Sequence, residues 1–597
     1  MLEGTSDIKR ERLYLAGVAG IALMRFLNLG FLDLQAWDEA LYAVRSEGIL
    51  RFGGWIDQTR FAIDGLYSSL HPPLYVWLTT VSFGALGVSE FAARFFSAFF
   101  GGLTILIIYR IGKHLGDARL GFFAALLFGL NPFVTFYARQ GQFDATLVFF
   151  LSLAVLLLLR AEKERSFKYA VLAGITVGAA LMTKLYVGLG IPLVYCLWIA
   201  LGPSERKKAS WKMLGLSLVA AIVVALPWHL AMTLAHGKGD PLFFLRASAL
   251  FERSLYGVEG NVKPLEVLYF FNQLFVLFPA GVAWFGHGLF TAVREKKAGW
   301  YMMAVWFLVF LLVFSLMRTK LAVYLLPMLV PASLIGAREI SKLVRGTYSG
   351  QGVTIFLAAT GLSVLWASSQ AWRNATKSVI SSAIGLHLPP AAETTGFLAI
   401  LLLASCILAL LYLALRRGWV DQVRGAIPYL LFVPSFIVCY YQTTRYDRFQ
   451  YDDGASELAD FIVEKQPSKI IVAGYERNPQ LTYYLEGADI GWRENLPVNR
   501  IVPPKDRGQF RSWLTEQLSG EPDDILVVIE KDKFIRYEWV AAAEVTPPDY
   551  AVVFESRRYA AFQRMQLIHY AQLTSGGLIK GNLQEQSSWT SPTFCVR

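Results

Sequence analysis

The sequence predicts a polytopic α-helical membrane protein with a soluble α/β domain at its C-terminal end. Its 597 residues are 55% hydrophobic and 17% charged, with a mean hydropathy of +0.43, whereas soluble chains carry about 25% charged residues. Apolar runs of about 18–20 residues, long enough to cross about 30 Å of hydrocarbon, recur through the first three-quarters of the chain. After residue 444 they give way to a charged, mixed sequence. We therefore expect a transmembrane domain over 1–444 and a soluble domain over 445–597.

The apolar runs predict about thirteen membrane spans, each long enough for a transmembrane helix. The expected spans cover residues 13–31, 88–112, 119–137, 143–160, 168–183, 186–202, 212–234, 265–290, 300–316, 321–337, 352–372, 394–415 and 426–443.

Basic residues cluster on alternate sides of these spans and so predict the orientation of the chain. With the N-terminus in the cytoplasm, the inner segments include IKRER (8–12), RAEKERSFK (160–168) and PSERKKASWK (203–212), as the positive-inside rule requires. The formal net charge of +11 therefore reflects topology rather than nucleic-acid binding. An odd number of spans places 445–597 outside the cytoplasm.

Two outer loops are long, at 32–87 and 235–264. Each contains a stretch with apolar residues at helical spacing, such as ALYAVRSEGILRF (40–52). Such a stretch predicts an amphipathic helix that lies in the plane of the membrane interface.

The C-terminal segment alternates short apolar strands with helical stretches. SKIIVAGY (468–475) and DDILVVIEK (523–531) are typical of buried strands, and ELADFIVEK (457–465) and GQFRSWLTEQL (508–518) of helices. This alternation predicts a small α/β domain. Its aromatic side chains suit either stacking on sugar rings or packing in the core, and include Tyr483, Tyr484 and Trp492.

Two adjacent acids stand where the first span leaves the membrane, in the motif WDEALY. Asp38 and Glu39 are followed by Tyr42, and the same loop returns through His71 and a Pro-Pro pair. The prolines fix the backbone ahead of the next helix, so His71 can be held at the same water–lipid boundary as the acids. The acids also fit the polar end of a span, but charged groups at such positions are usually functional.

A third acid and a basic–aromatic pair stand at the outer ends of later spans. Asp144 opens the span QFDATLVFFLSLAVLLLL, where it could stabilise the helix N-terminus or take part in chemistry. Lys320 and Tyr324 are spaced i and i+4 in KLAVYLLPMLVP, which predicts that they share one helix face. A cation and a phenol on one face suit a phosphate oxygen.

Four basic residues stand in short outer loops that the positive-inside rule should have depleted. Either their side chains reach back to the interface, or they form a site for an anionic phosphodiester, for which Lys and Arg are the usual partners. These residues are Arg139, Lys184, Arg318 and Lys320.

The polar groups therefore gather on one side of the membrane, which suits a lipid-linked substrate. Its tail would lie between the spans, its phosphate would meet the cations, and its reactive carbon would face an acid acting as a base. This arrangement predicts a transferase. It requires Asp38, Asp144, Lys184 and Lys320 to converge on one non-cytoplasmic pocket.

The same residues carry a resemblance to a known family. WDEALYAVRSEGILRFGGWI, LHPPLYVWLTTVSFGALG, NPFVTFYARQGQFDATLVFF, LMTKLYVGLGIPL and VFSLMRTKLAVYLLPMLVP follow in order over about residues 10–335. In this order they resemble the aminoarabinose transferase and protein mannosyltransferase-like glycosyltransferases, which are integral membrane enzymes of the GT-C fold. About thirteen spans before a small outer domain are also similar to that family's layout.

The resemblance implies a polyprenyl phosphate–sugar donor and an inverting transfer, for which a lipid glycan, a polysaccharide or a protein could be the acceptor. The membrane assignment most naturally implies a bacterial cytoplasmic membrane, although an endoplasmic reticulum membrane has the same geometry. By the resemblance, Asp38 is the catalytic base that takes the proton of the acceptor hydroxyl, with Glu39 in support and Asp144 as a further functional acid. Lys184, Lys320 and Tyr324 match positions expected near the donor phosphate.

Some positions depart from the family pattern. Leu41 replaces an Arg, and Leu70-His71 replaces Glu-Lys before the Pro pair, so neither aminoarabinose nor lipid A specificity is carried over. No cofactor is required by the residues themselves, and the resemblance leaves a divalent metal open, although the loop 245–253 has no His. The four cysteines have the spacing of neither a disulfide framework nor a zinc site.

Two other functions fit a polytopic chain. A flippase of lipid-linked glycans would carry polar residues through the middle of several spans and broken helices in repeated halves, whereas these spans are clean apolar runs. An assembly protein would work through its C-terminal domain alone. Replacing Asp38 by Asn separates them, because it should abolish only glycosyl transfer.

Overall fold

A computed structural model gives the architecture of the chain. The structure describes residues 2–35, 38–62, 71–202, 207–240, 269–270, 273–274, 279–349, scattered positions over 351–361, and 420–444, 454–473, 479–487, 498–501, 507–530, 546–547, 549–556 and 558–565. The expected span 394–415, most of the span 352–372, most of the loop 235–264, and Trp492 lie outside these residues.

Apolar helices make up most of the chain before residue 445. Among the described helices, six are long and apolar enough to cross a membrane, and one continuous apolar core runs between them. The expected multi-pass helical architecture is therefore confirmed. The helices are α1 (Leu2–Leu23), α2 (Asp38–Phe52), α3 (Leu74–Leu86), α4 (Glu90–Leu115), α5 (Ala118–Gly129), α6 (Pro132–Tyr137), α7 (Phe143–Glu164), α8 (Phe167–Leu181), α9 (Leu185–Gly188), α10 (Gly190–Leu201), α11 (Lys207–His236), α12 (Pro279–Glu295), α13 (Ala298–Leu316), α14 (Leu326–Val344) and α15 (Val420–Thr444).

Two expected spans are interrupted by a change of helix. Over 119–137, α5 ends at Gly129 and α6 begins after Asn131, whose side-chain oxygen accepts the N–H groups of Phe133 and Val134 at 2.9 and 3.2 Å. Such a side chain caps a helix start, and Pro132 suits the first turn because it has no N–H to donate. Over 186–202, the short α9 is followed by α10. Hydropathy does not reveal either break, because the residues on both sides of it are apolar.

Small residues allow α8 and α11 to pack closely. Gly174 and Gly178 stand four residues apart on α8, and a Cβ added at Gly174 would come within 2.2 Å of the carbonyl oxygen of Ser217 on α11. A Cβ at Gly178 would come within 2.5 Å of the Val224 side chain. This small-xxx-small spacing lets two membrane helices approach through van der Waals contact.

Two helices occupy much of the described part of 32–87, which was expected to be an outer loop. The stretch 40–52 lies in α2, so the expected helix is confirmed, but the amphipathic pattern expected for it, with one face exposed, is wrong. Residues 39–49 are buried without interruption, because α2 packs between α3 and a helix of the C-terminal segment. One side of a surface helix would face solvent, and α2 has no such side.

A five-stranded sheet forms the C-terminal part of the described chain, called here the sheet unit (454–565). The structure contains all four elements expected there, with ends shifted by at most three residues. The strand order is β2-β1-β3-β5-β4, with β1 parallel to β2 and β3, and β5 antiparallel to β3 and β4. In chain order the elements are α16 (Ala455–Lys465), β1 (Ile470–Ala473), α17 (Pro479–Gly487), β2 (Val498–Ile501), α18 (Arg507–Gln517), β3 (Leu526–Glu530), β4 (Tyr550–Glu555) and β5 (Tyr559–Arg564).

Two apolar clusters cover the two faces of this sheet. On one face, Leu514 of α18 packs with Val527 and Phe562. On the other, Leu458 and Leu481 of α16 and α17 pack with neighbouring strand residues. Because β3 is buried on both faces, it is a continuous apolar run in the sequence.

The sheet unit is joined to the segment that precedes Asp38. The Asp33 carboxylate accepts the backbone N–H groups of Ala455 and Ser456 at 2.8 and 3.1 Å. These are the first residues of α16, whose unpaired N–H groups and positive dipole end favour an anion. Asp33 is 6% exposed, so this contact is internal to the molecule.

Leu34 makes two further bonds to α17. Its backbone N–H donates to the Tyr484 hydroxyl oxygen at 2.8 Å, and its carbonyl oxygen accepts from the Gln480 amide at 2.7 Å. Tyr484 in turn donates to Glu90 at 2.9 Å. Burial, Asp33 and Glu90 all raise the pKa of Tyr484, so the phenol keeps its proton for this bond. Tyr483 and Tyr484 pack in the apolar cluster at this junction. Of the two roles expected for these aromatic side chains, the structure therefore supports packing in the core.

Candidate functional site

A cavity of about 490 Å³ lies between the membrane helices and the sheet unit. Among the residues that the structure describes, it brings together six of the ten residues singled out from the sequence. These six are Asp38, Tyr42, His71, Asp144, Lys184 and Tyr324. The other lining residues are Gln35, Phe136, Tyr137, Gln140, Gln142, Phe143, Leu321, Ala322, Val323 and Arg558.

Asp38 and Glu39 have opposite surroundings although they are adjacent. Asp38 is the first residue of α2, is exposed and lines the cavity. Glu39 is 0% exposed and does not line it. Successive residues of an α-helix are rotated by about 100° around its axis, which suffices to send one acid to the cavity and the other into the protein.

Glu39 is enclosed by hydrogen-bond donors. The Arg94 guanidinium donates to both carboxylate oxygens, at 2.7 and 2.9 Å, and the backbone N–H groups of Gln35 and Gly141 donate at 2.6 and 2.5 Å. Arg94 also donates to the carbonyl of Asp33 at 2.8 Å. A buried carboxylate requires such partners. Glu39 therefore joins the start of α2 to α4 and to the loop before α7.

Aromatic rings and a buried arginine hold His71 at the cavity. Its ring stacks on Phe143 with centroids 6.2 Å apart, and Phe143 also meets Tyr42 edge-on at 5.4 Å. Arg45 donates to the carbonyl of Gln58's side chain at 2.6 and 2.9 Å and to the His71 backbone carbonyl at 3.4 Å. Burial lowers the pKa of Arg45 to about 10, so Arg45 remains a cation at neutral pH.

The His-Pro-Pro turn is also bonded to the loop that carries Lys184. The Leu74 N–H, just after the two prolines, donates to the Met182 carbonyl at 3.1 Å. Met182 is the C-cap residue of α8, and Lys184 stands two residues later, immediately before α9. The break between α8 and α9 thus places His71 and Lys184 around one cavity.

Lys184 is the cation of the cavity on the membrane-helix side. Its Nζ lies 3.7 Å from Asp144 Oδ1, which is too long for a direct hydrogen bond. The same Nζ lies 4.6 Å from the Phe143 ring centroid and 5.3 Å from that of Tyr324, within cation–π range. Among the described residues Lys184 makes no shorter polar contact, so its N–H groups can reach a ligand.

Lys320 lies outside the cavity, so the expected convergence includes three of its four residues. Lys320 is 3% exposed and donates to the carbonyls of Phe314, Ser315 and Met317, the first at 3.2 Å. These carbonyls end α13, where unpaired acceptors attract a cation. Its sequence neighbours 321–324 line the cavity in its place.

The shared helix face expected for Lys320 and Tyr324 is wrong. Ala322–Leu325 is a 3₁₀-helix, and α14 begins only at Leu326. Lys320 precedes the first helical residue, so the i, i+4 rule does not apply to it. Tyr324 reaches the cavity nonetheless, and its ring stacks on Phe314 with centroids 4.9 Å apart.

Arg139 and Arg318 also lie outside the cavity lining. Arg139 is 0% exposed and donates to the backbone carbonyls of Arg25 and Asn28 at 2.9 and 3.3 Å. Arg318 is exposed in the turn after α13. Arg139 therefore stabilises the chain segment 25–28 from inside the protein, and its side chain does not reach back to the membrane interface.

The sequence reasoning missed Arg558 and the glutamines of the cavity. Arg558 belongs to the sheet unit, more than 300 residues from Lys184, and no local pattern distinguishes it from other surface-type arginines. Gln140 and Gln142 flank Gly141, whose N–H donates to Glu39. In the sequence, only their place in the predicted loop between the spans 119–137 and 143–160 pointed to them. Uncharged polar residues in such a loop are too common to be selected individually.

Within the part of the chain that the structure describes, no three or more His, Cys, Asp or Glu side chains lie close enough together to hold a metal ion. The loop 245–253 lies outside that part. His236 instead contacts the Asp57 carboxylate at 2.9 Å.

Comparisons with known proteins agree with this architecture. Residues 70–228 match the family model described as dolichyl-phosphate-mannose-protein mannosyltransferase. The chain is 28% identical over 351 residues to undecaprenyl phosphate-alpha-4-amino-4-deoxy-L-arabinose arabinosyl transferase 2 of Pseudomonas fluorescens, covering 56% of this chain and 61% of that protein. The corresponding transferase of Pectobacterium carotovorum is 23% identical over 561 residues, which are 88% of this chain and 94% of that one.

Two solved structures share the fold. ArnT from Cupriavidus metallidurans, bound to undecaprenyl phosphate, has a TM-score of 0.63 at 19% identity, covering 92% of this chain and 97% of that one. The Archaeoglobus fulgidus oligosaccharyltransferase has a TM-score of 0.51 at 13% identity, covering 87% and 70%. The resemblance drawn from the sequence is thereby confirmed, and the chain has a membrane GT-C fold.

Proposed function

We propose that this chain is a glycosyltransferase that moves a sugar from a polyprenyl phosphate-linked donor to an extracytoplasmic acceptor. The acceptor would be a lipid glycan, a cell-envelope polysaccharide or a protein. The observation that carries the proposal is the single cavity lined by Asp38, Lys184, Asp144 and Tyr324. Relatives named for undecaprenyl phosphate-linked aminoarabinose support the class of donor.

The cavity offers separate groups for the two ends of the reaction. The accessible Lys184 ammonium would bind the donor phosphate, since charge-assisted bonds to phosphate are short and strong. Phe143 and Tyr324 flank that ammonium and would limit its contact with water. Asp144, at 3.7 Å, would orient the lysine rather than exchange protons. Tyr42 and His71 would line the space for the sugar.

Asp38 would act as the general base. The acceptor hydroxyl transfers its proton to the Asp38 carboxylate as its oxygen forms a bond to the anomeric carbon. The bond from that carbon to the phosphate oxygen breaks, and its electron pair leaves with the polyprenyl phosphate. Displacement from the opposite side inverts the anomeric configuration. Lys184 stabilises the charge that grows on the leaving phosphate.

Glu39 would position Asp38 without touching the substrate. All its bonds described above are to Arg94 and backbone N–H groups. Holding a reactive group in one geometry can account for a large share of a rate enhancement. Lys184 rather than Arg139, Arg318 or Lys320 would bind the donor phosphate, because these three residues do not line the cavity.

The proposed setting is a bacterial cytoplasmic membrane with about thirteen spans. Residues 445–597 would form the extracytoplasmic domain over the outer end of the cavity. The contacts of Asp33 and Leu34 with the sheet unit support this position, because Asp33 and Leu34 follow the first span.

The test is mass spectrometry of glycolipids and surface polysaccharides from cells that lack the gene, complemented with the wild type or with Asp38→Asn. We expect one sugar modification to disappear in the deletion and to return only with the wild type. If Asp38→Asn restores the modification fully at equal protein levels, Asp38 is not the base. A deletion without any glycan change would contradict the transferase itself.

A further inference from the structure

Arg558 reaches the cavity from the sheet unit. It is 7% exposed and lines the cavity, and no other cavity-lining residue comes from beyond residue 445 among the residues that the structure describes. The sheet unit is therefore part of the cavity wall. A domain that only shielded the cavity from water would not need a buried guanidinium in the cavity wall.

Arg558 is held by a buried carboxylate. Its Nε and Nη2 both donate to Glu530 Oε1, at 3.1 and 2.9 Å, and Glu530 is 1% exposed. Glu530 ends β3 and is the register partner of Tyr559, which begins β5. The pair thus fixes Arg558 at the junction of two paired strands. Because the carboxylate offsets its charge, the guanidinium acts mainly as a directional hydrogen-bond donor.

A chain of hydrogen bonds connects the residue next to Arg558 with the segment that leads to Asp38. The neighbouring Tyr559 donates to the Gln480 side-chain oxygen at 2.8 Å, and the Gln480 amide donates to the Leu34 carbonyl at 2.7 Å. Gln35, next in sequence, lines the cavity. Lys184 instead comes from the membrane helices, beside Asp144 and Tyr324.

We propose that Arg558 binds the acceptor, by donating a hydrogen bond to a hydroxyl oxygen close to the hydroxyl that is attacked. The inference rests on the proposed function. In a direct displacement the acceptor and the leaving phosphate stand on opposite sides of the anomeric carbon, so the residue on the base side meets the acceptor. A guanidinium already paired with Glu530 favours neutral hydroxyl groups over a further anion, and this points to a carbohydrate acceptor.

The experiment uses full-length protein and two readouts. The first is the affinity of each purified variant for undecaprenyl phosphate. The second is transfer from a polyprenyl phosphate-sugar extract of the host to an envelope fraction from cells lacking the gene, with that fraction titrated. Arg564→Gln is the matched control, because Arg564 lies on β5 and pairs with the exposed Asp523 outside the cavity lining.

For Arg558→Gln we expect half-maximal transfer to require about ten- to hundred-fold more envelope fraction, the loss typical of one hydrogen bond from a charged donor. Undecaprenyl phosphate affinity should stay within about twofold of wild type, and Arg558→Lys should recover part of the loss. Arg564→Gln should match wild type in both readouts.

An unchanged acceptor requirement in Arg558→Gln would overturn the proposal, and so would an equal loss of undecaprenyl phosphate affinity. If Arg558→Gln fails to fold, the same two outcomes are decided with Arg558→Lys, which keeps a cation beside Glu530. A wild type that transfers no sugar would instead refute the proposed function, so the two failures are distinguishable.

Discussion

Lys184 and Asp144 meet at the cavity wall, with Nζ 3.7 Å from Oδ1. Asp144 is in the first turn of α7, and Lys184 immediately precedes α9. Two helix starts therefore present opposite charges to the same space. The separation leaves the ammonium able to donate hydrogen bonds to a phosphate oxygen. Lys320, which already donates to three carbonyls, is less able to do so.

Replacing Lys184 by Met should weaken undecaprenyl phosphate binding by about ten- to hundred-fold, because one charge-assisted hydrogen bond is lost. Isothermal titration or tryptophan quenching with purified protein measures the affinity. Arg318→Gln is the control, since Arg318 is an exposed cation that does not line the cavity. An equal loss in both variants would mean that the effect is general electrostatics rather than a site.

Replacing Glu39 by Gln should destabilise the fold. Glu39 and Arg94 are both 0% exposed, and removing one member of such a pair leaves a buried charge uncompensated, which costs about 3–5 kcal/mol. A fall in the melting temperature in detergent is the expected result. Asp421→Asn, which breaks a surface pair whose acid is 86% exposed, should change stability by less than about 1 kcal/mol. Equal melting temperatures for the two variants would contradict a stabilising role of the buried Glu39–Arg94 pair.

Replacing Gly141 by Ala should disturb the hydrogen bonds that hold the Glu39 carboxylate. The added Cβ would lie 2.9 Å from Glu39 Cγ, so the carboxylate would have to move away from the Gly141 N–H. Overpacking of this kind costs about 1–3 kcal/mol, and activity should fall with stability as Asp38 loses its position. Gly215→Ala is the control, because a Cβ there meets nothing within 4 Å. A Gly141→Ala protein as stable and active as that control would refute the coupling.

Replacing Lys320 by Met should lower stability without weakening the donor site. The three carbonyls at the end of α13 would lose a buried donor, and an unsatisfied buried polar group costs about 1–3 kcal/mol. The melting temperature should fall, while the affinity of the folded fraction for undecaprenyl phosphate stays within about twofold of wild type. A large loss of affinity with an unchanged melting temperature would return Lys320 to the phosphate site.

The sequence was sufficient where polar groups interrupt apolar runs. Asp38, Asp144 and Lys184 stand at the ends of predicted spans, where a charged side chain usually has a function or a partner. All three line one cavity. The alternation of apolar strands and helices after residue 454 likewise predicted β1, β3, α16 and α18.

The sequence was insufficient where tertiary partners decide the role of a residue. Glu39 and Asp38 look alike in the motif, and only Arg94, 55 residues later, distinguishes the buried acid from the accessible one. Lys320 and Lys184 are likewise both lysines in predicted outer loops, and only Lys320 donates to the carbonyls at the end of α13. Arg558 could not be predicted, because its place depends on how the sheet unit docks on Asp33 and Leu34.

The most direct test compares binding and turnover in Asp38→Asn. With a polyprenyl phosphate-sugar extract of the host as donor, we expect turnover to fall by about 10²–10⁴-fold, the usual contribution of a general base. Undecaprenyl phosphate affinity should remain within about threefold of wild type, because Lys184 is intact. Turnover within about threefold of wild type, at equal amounts of folded protein, would contradict the account of Asp38 as the base of this cavity.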